Sequence, residues 1–301
     1  MRQPQPFSRS LRAKGRPRAR SMSSMRSYAP AVSWILIAPA IAILTIGFLY
    51  PLIRLIMLSL SAGPSATYGR LLREPLYATV LASSLVTAVS VTFACIVLGY
   101  PVALAMARLK KRAAALTTAC VLIPLWTSVL IRSYAWIVLL QRNGPINSFL
   151  IEEGLTQGPI KLLYTQGAVI LAMTHVLLPF AILPIFSTLR ALPNDYVRAA
   201  HNLGAGKVKA FFLVTLPLSL PGVFAGAILC FVLALGFYIT PSLVGGPESM
   251  MMASLIGQQT TVLLDWPFAA ALSTVLLVIT LLIVVAFRKS LSFSKGLSSV
   301  Y

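Results

Sequence analysis

Of the 301 residues, 58% are hydrophobic and only 10% are charged, against roughly a quarter charged in an ordinary soluble domain. Such a composition excludes a water-soluble globule and points to a membrane protein. The formal charge of +19, from 25 Lys+Arg against 6 Asp+Glu, would on its own suit a nucleic-acid binder, but its distribution along the chain assigns it to membrane orientation.

Residues 1–30 carry Arg2, Arg9, Arg12, Lys14, Arg16, Arg18, Arg20 and Arg26 among Ser and Pro. They read as a basic disordered cytoplasmic tail, because such a composition cannot build a packed core. Contact with anionic lipid headgroups and a merely solvated tail both stay open. The apolar run that follows is too long for a signal-peptide core, and no convincing cleavage site follows it.

A helix that crosses a bilayer needs about 20 mostly apolar residues. Six candidates follow: Val32–Ile53; a span within Pro75–Ala107; Ala113 to about Leu140, interrupted only by Arg132; a span within Leu162–Leu189; a span within Ala210–Pro247; and Trp266–Phe287. The Met-rich stretch Ser249–Leu264 is too short to cross and reads as a partly embedded segment on the outer side. The expectation is an all-α polytopic membrane protein with six transmembrane helices at 31–290 and a short tail at 291–301.

Lys and Arg set the orientation. Arg108, Lys110, Lys111 and Arg112 lie between the second and third spans, Arg190, Arg198, Lys207 and Lys209 between the fourth and fifth, and Arg288, Lys289 and Lys295 after the sixth. Of the acids, only Asp195 shares that side; Glu74, Glu152, Glu153, Glu248 and Asp265 fall opposite. Both termini are therefore expected in the cytoplasm. Of these, Glu152, Glu153, Glu248 and Asp265 can attract cations or meet another protein.

Ion-coupled carriers usually hold ionisable groups inside their spans. Here no Asp, Glu or Lys lies within the six, and Arg132 is the one strongly charged residue well inside. It should face protein or a water-filled cavity, while Arg54 near a span end can snorkel. His175, alone in the fourth span, reads as a hydrogen-bonded core residue. Cys95, Cys120 and Cys230 lie in apolar runs without metal or disulfide spacing and read as small buried hydrophobes. Paired carboxylates, metal-ligand clusters and a phosphate-binding loop are lacking, so catalytic and metal sites are expected to be none. A stand-alone carrier or channel and a membrane-embedded enzyme are both disfavoured on these grounds. Energy for uphill transport would come from another chain.

The loop at 190–217 is where such energy could enter. Asn194 or Asp195 can cap a short helix, Tyr196 to Leu203 can form it, and Gly204 can end it in the left-handed conformation. A second helix then leads from about Ala205 to Pro217. Small Ala199 and Ala200 allow close approach by another surface.

Ala199-Ala200, three residues, Gly204, nine residues, then Val214-Thr-Leu216-Pro217 resembles the "EAA" loop of binding-protein-dependent ABC importer permeases. That family's pattern is Glu-Ala-Ala, three residues, Gly, nine residues, Ile-x-Leu-Pro. Arg198 stands at the family's acid and Val214 at its Ile. The stretch Pro124-Leu-Trp126-Thr-Ser-Val-Leu-Ile-Arg132-Ser-Tyr134-Ala-Trp136 with Gly144-Pro-Ile-Asn147, and Gly236-Phe-Tyr238-Ile-Thr240-Pro241-Ser-Leu-Val-Gly245-Gly246, resemble the spermidine/putrescine permease branch, its first permease subunit in particular. The resemblance implies the type I importer (MetI-like) fold in a bacterial inner membrane. It implies that the loop is a coupling helix seated on an ABC ATPase. It also implies a second permease, two ATPases that bind ATP and Mg, and a periplasmic substrate-binding protein, with no cofactor on this chain and no nucleic acid.

Trp126, Arg132, Tyr134, Trp136, Tyr238 and Thr240 are placed at the substrate pathway, where aromatic faces can hold an organic cation. Interfacial anchoring is the alternative for the aromatics. Arg132 would repel a cation and suits bonding to carbonyls or to a partner permease. Polyamines are the expected solute; opines, aminophosphonates and other small amines are alternatives.

Overall fold

The computed structural model describes residues 30–297, so the tail expected at 1–30 lies outside them but for Pro30, and of the tail expected at 291–301 only residues 298–301 do. All regular structure among the described residues is helical. The chain falls into two compact units, residues 1–52 and 53–301. The first holds most of helix α1 (Pro30–Leu60), which is uncharged throughout its first two dozen residues and carries Pro39 and Pro51.

In the second unit the helices run α2 (Pro64–Arg73), α3 (Pro75–Arg108), α4 (Lys111–Trp126), α5 (Val129–Leu140), α6 (Pro145–Glu152), α7 (Gln166–Ala191), α8 (Asn194–Asn202), α9 (Lys207–Ala210), α10 (Leu216–Leu235), α11 (Ile239–Val244), α12 (Met252–Thr261) and α13 (Trp266–Leu297). Among the described residues, five helices are long and apolar enough to cross a membrane, and a sixth crossing follows if one bent pair counts as a single span. The bent pair corrects the expected third span. Instead of one rod from Ala113 to Leu140, the chain breaks at Thr127-Ser128, and the two arms meet at 95°. Pro124 cannot donate to the preceding turn, and Thr127, the residue after the first arm, is extended at φ −84°, ψ 149°. The last helix carries the expected span Trp266–Phe287 and continues as helix past it to Leu297, into the region expected as a tail.

At the centre, α7 packs against both α3 and α10. Lipid tails are as apolar as Leu, so helices associate in a bilayer through close van der Waals contact, which favours small residues at the seams. The seams are built that way: Ala88, Cys95, Ala181, Cys230 and Ala234 are fully buried with Val91, Val169 and Met173 between them. Gly222 and Gly226 form a Gly-x-x-x-Gly face on α10. A Cβ built on Gly222 would lie 2.5 Å from Thr188 Oγ1 and 2.8 Å from the Pro184 carbonyl, and one on Gly226 would lie 3.0 Å from the Ala181 carbonyl. Cys95 and Cys230 are buried as expected, but Cys120 lies on an exposed face of α4, because that helix touches the bundle along only part of its length.

The Met-rich stretch forms the short helix α12, with Met251 and Met252 buried. The Met252 N–H donates to Ser84 Oγ at 2.7 Å, tying it to α3. At the same end of the unit, Arg70 lies 3.4 Å from Glu74 and 3.5 Å from Asp265, with its guanidinium 4.4 Å from the centre of the Phe268 ring. Asp265 also accepts the Phe268 N–H at 3.2 Å, capping α13. Asp265 thus has two partners within the chain, Arg70 and the Phe268 N–H.

Candidate functional site

The loop at 190–217 folds as two helical pieces around a turn. Its first helix, α8, begins at Asn194, two residues before the expected start at Tyr196: Pro193 occupies the N-cap position, and no side chain caps the free N–H groups. Asp195 instead sits in the first turn, where its charge favours the helix dipole. The end of α8 follows the expectation closely. Gly204 is left-handed at φ +84°, the Ala205 N–H donates to the Ala200 carbonyl at 2.9 Å, and the Gly204 N–H donates to that of His201 at 2.9 Å. These two bonds form a Schellman termination. His201 adds a third, its Nδ1–H donating to the Ala205 carbonyl at 2.8 Å.

The second piece starts at Lys207 rather than Ala205, with Ala205-Gly206 left as the turn. It does not stop at Pro217. Residues Phe211–Thr215 widen into a π turn, in which the Leu216 N–H reaches the Phe211 carbonyl, and α10 continues from there. A proline ring collides with the carbonyl four residues back, which here belongs to Leu213, and the wider turn moves that carbonyl aside. Val214 and Leu216 are half-buried, Thr215 between them is buried, and Pro217 is exposed. Phe211 meets the Tyr100 ring edge-on at 5.9 Å, and the Tyr100 and Ser219 hydroxyls share a 2.8 Å hydrogen bond, so the π turn is moored to α3.

Helix α8 buries none of its residues. Arg198 pairs with Asp195 of the same helix at 3.7 Å, both side chains largely exposed. Ala199 is exposed and Ala200 half-buried. Between α8, α9 and the ends of α3 and α7 lies an open groove of about 710 Å³. Leu104, Leu189 and Val197 line it, together with the cationic side chains Arg108, Arg198 and Lys207 and the ring of His201.

The residues expected along the substrate pathway divide into two groups. Arg132, on α5, is nine-tenths buried and reaches back across the elbow to donate to the Pro124 carbonyl. The neighbouring Ser133 shares a 2.9 Å hydrogen bond with Thr240 of α11, and both are fully buried. Trp136, half-buried, donates its Nε1–H to His175 Nδ1 of α7 at 3.2 Å, with the rings edge-on at 5.9 Å. Trp136 and, through Ser133, Thr240 thus gather where α5 meets α7 and α11, while Arg132 spans the elbow to α4. Trp126, at 92% exposure, and Tyr134 stand away from them on exposed faces, and Tyr238 turns its half-exposed ring onto Gly257 of α12. His175 is not the buried core residue expected; it is exposed on its helix and serves as the acceptor for Trp136. Ser133 had no signal of its own, because its partner is 107 residues away.

Arg132 is expensive. Burying a guanidinium costs several kcal/mol unless its donors are met, and its Nε has no partner among the described residues. The Pro124 carbonyl does not depend on it, since the Thr127 N–H at 3.3 Å and hydroxyl at 2.8 Å also donate there. Arg132→Met is therefore expected to leave the thermal midpoint of the detergent-purified protein unchanged or higher. A clear fall would make Arg132 a structural clamp instead.

Comparison with known proteins agrees with this architecture. Residues 96–289 match the family model described as binding-protein-dependent transport system inner membrane component. The spermidine/putrescine transport system permease protein PotB of Salmonella typhimurium is 36% identical over 234 residues, covering 77% of this chain and 81% of that one. PotB of Escherichia coli is 37% identical over 229 residues, covering 76% and 83%. In fold, a bacterial ABC transporter involved in import of the acidic polysaccharide alginate superposes with a TM-score of 0.69 at 17% identity, over 86% of this chain and 94% of that one. With the family model spanning well over half of the sequence and the PotB likeness running through most of both chains, this protein belongs to the binding-protein-dependent transport system inner membrane components, as a permease subunit of an ABC importer.

Proposed function

We propose that the importer moves small organic cations of the polyamine class into the cell. The observation that carries this reading is the 36–37% identity to spermidine/putrescine permeases through three quarters of the chain. The half-buried Trp136 supports it, since an indole face attracts an alkylammonium group. In this reading both termini are cytoplasmic, a second permease completes the pathway, and a periplasmic binding protein delivers the solute. Residues 190–217 receive the motion of an ATPase pair that binds ATP and Mg. Closure of the ATPases drives α8 against the membrane-embedded bundle, and a helix terminated as firmly as α8 can transmit that push without bending. Arg198, Ala199, Ala200 and Gly204 form the contact, and Val214, Leu216 and Pro217 carry it into α10.

The complex reconstituted in proteoliposomes, with its binding protein and internal ATP, is expected to accumulate labelled putrescine or spermidine. Indifference to both, with uptake of an opine, an aminophosphonate or another amine, rejects the polyamine assignment and keeps the importer.

A further inference from the structure

We propose that the surface receiving α8 is acidic, presenting carboxylates to Arg198 and Lys207 around an apolar seat for Leu203 and Val208. This rests on the reading that the loop docks on the ATPase, and it assigns the chemistry of that partner. Loop 190–217 holds Arg190, Arg198, Lys207 and Lys209 against the single acid Asp195. That acid does not neutralise Arg198: the contact is long at 3.7 Å, and the side chains are 76% and 87% exposed, a regime in which an ion pair contributes little. Arg198 can therefore turn outward to a better partner, for which its planar fork suits a carboxylate.

Beside it, Leu203 is 89% and Val208 71% exposed, on either side of the Gly204 turn. Large apolar side chains ringed by polar ones mark a protein-binding face. A lipid surface fits less well. An interfacial helix needs a continuous apolar face, and on α8 the largest aliphatic side chain, Val197, lines the groove.

The test measures ATPase-subunit affinity for the permease complex in nanodiscs across a salt series. In neutral lipid, wild type is expected to weaken steadily as salt rises. Arg198→Glu with Lys207→Glu is expected to weaken binding at least roughly tenfold at low salt, with membrane insertion unchanged, and an acid-to-Lys exchange on the rim of the ATPase cleft is expected to restore it. Tight binding of wild type that ignores salt, and of the double variant alike, overturns the acidic surface while docking stands. Salt dependence that appears only with anionic lipid gives the cations to the membrane and overturns it too. No ATPase binding by wild type at any salt removes the docking reading itself.

Discussion

Gly222→Leu is expected to leave little folded protein. The position faces α7 so closely that even a methyl carbon would lie 2.5 Å from Thr188 Oγ1 and 2.8 Å from the Pro184 carbonyl. The hydroxyl could swing away, but it would lose its own 3.0 Å bond to that same carbonyl. The carbonyl is backbone in a helix interior and cannot move without displacing α7. Overpacking a tight core costs about 1–3 kcal/mol per site, occasionally more. Here the added side chain enters the seam that joins two central helices, so the upper end applies. The measurement is the thermal midpoint and monodisperse yield in detergent. Gly236→Ala is the matched control, since its nearest foreign atom is 3.9 Å away. Equal behaviour of the two variants would mean that α7 and α10 are not in this close contact.

The second large effect is functional. Ala200→Asp combined with Gly204→Val is expected to reduce uptake to background while the protein still inserts and keeps its thermal midpoint. Gly204 holds φ +84°, a conformation that costs an ordinary L-residue about 1–2 kcal/mol and a β-branched one more. Valine there opens the Schellman turn and redirects α8, and the Ala200→Asp exchange places a charge on its small-residue face. Because α8 buries none of its residues, the rest of the fold is insulated from the change. Normal uptake by this variant would refute a coupling role for the loop. Reduced uptake accompanied by a lower midpoint would point to misfolding.

Much of this architecture was legible as hydropathy and spacing. Long uncharged runs locate α1, α3, α7, α10 and α13, since a bilayer-crossing helix must satisfy its backbone internally and carry apolar side chains all round. Gly204 announced the end of α8 because few other residues accept that backbone conformation. The break at Thr127-Ser128 stayed hidden, because hydropathy averages over a bend and Pro124 is tolerated inside many membrane helices. Where each apolar helix points its faces was equally invisible: with both lipid and protein apolar, no periodicity separates the buried Cys95 from the exposed Cys120. The polar pairs Ser133–Thr240 and Trp136–His175 link distant segments, and no local pattern could have announced them. The spacing from Gly222 to Gly226 could have, since small residues four apart favour close helix contact.

The central place of α7 has a consequence for biosynthesis. A chain is made from its N-terminus, and α3 and α7 can meet as soon as both have left the ribosome. The other side of α7, where Ala181, Pro184 and Thr188 await Gly222 and Gly226, has no partner until α10 emerges. For the time needed to make the intervening loop and α10, that narrow face is held open to whatever small-residue helix comes by, including the α10 of another nascent copy. Slowing elongation between residues 192 and 235 should therefore raise misassembly more than an equal pause after residue 266, once the seam has closed.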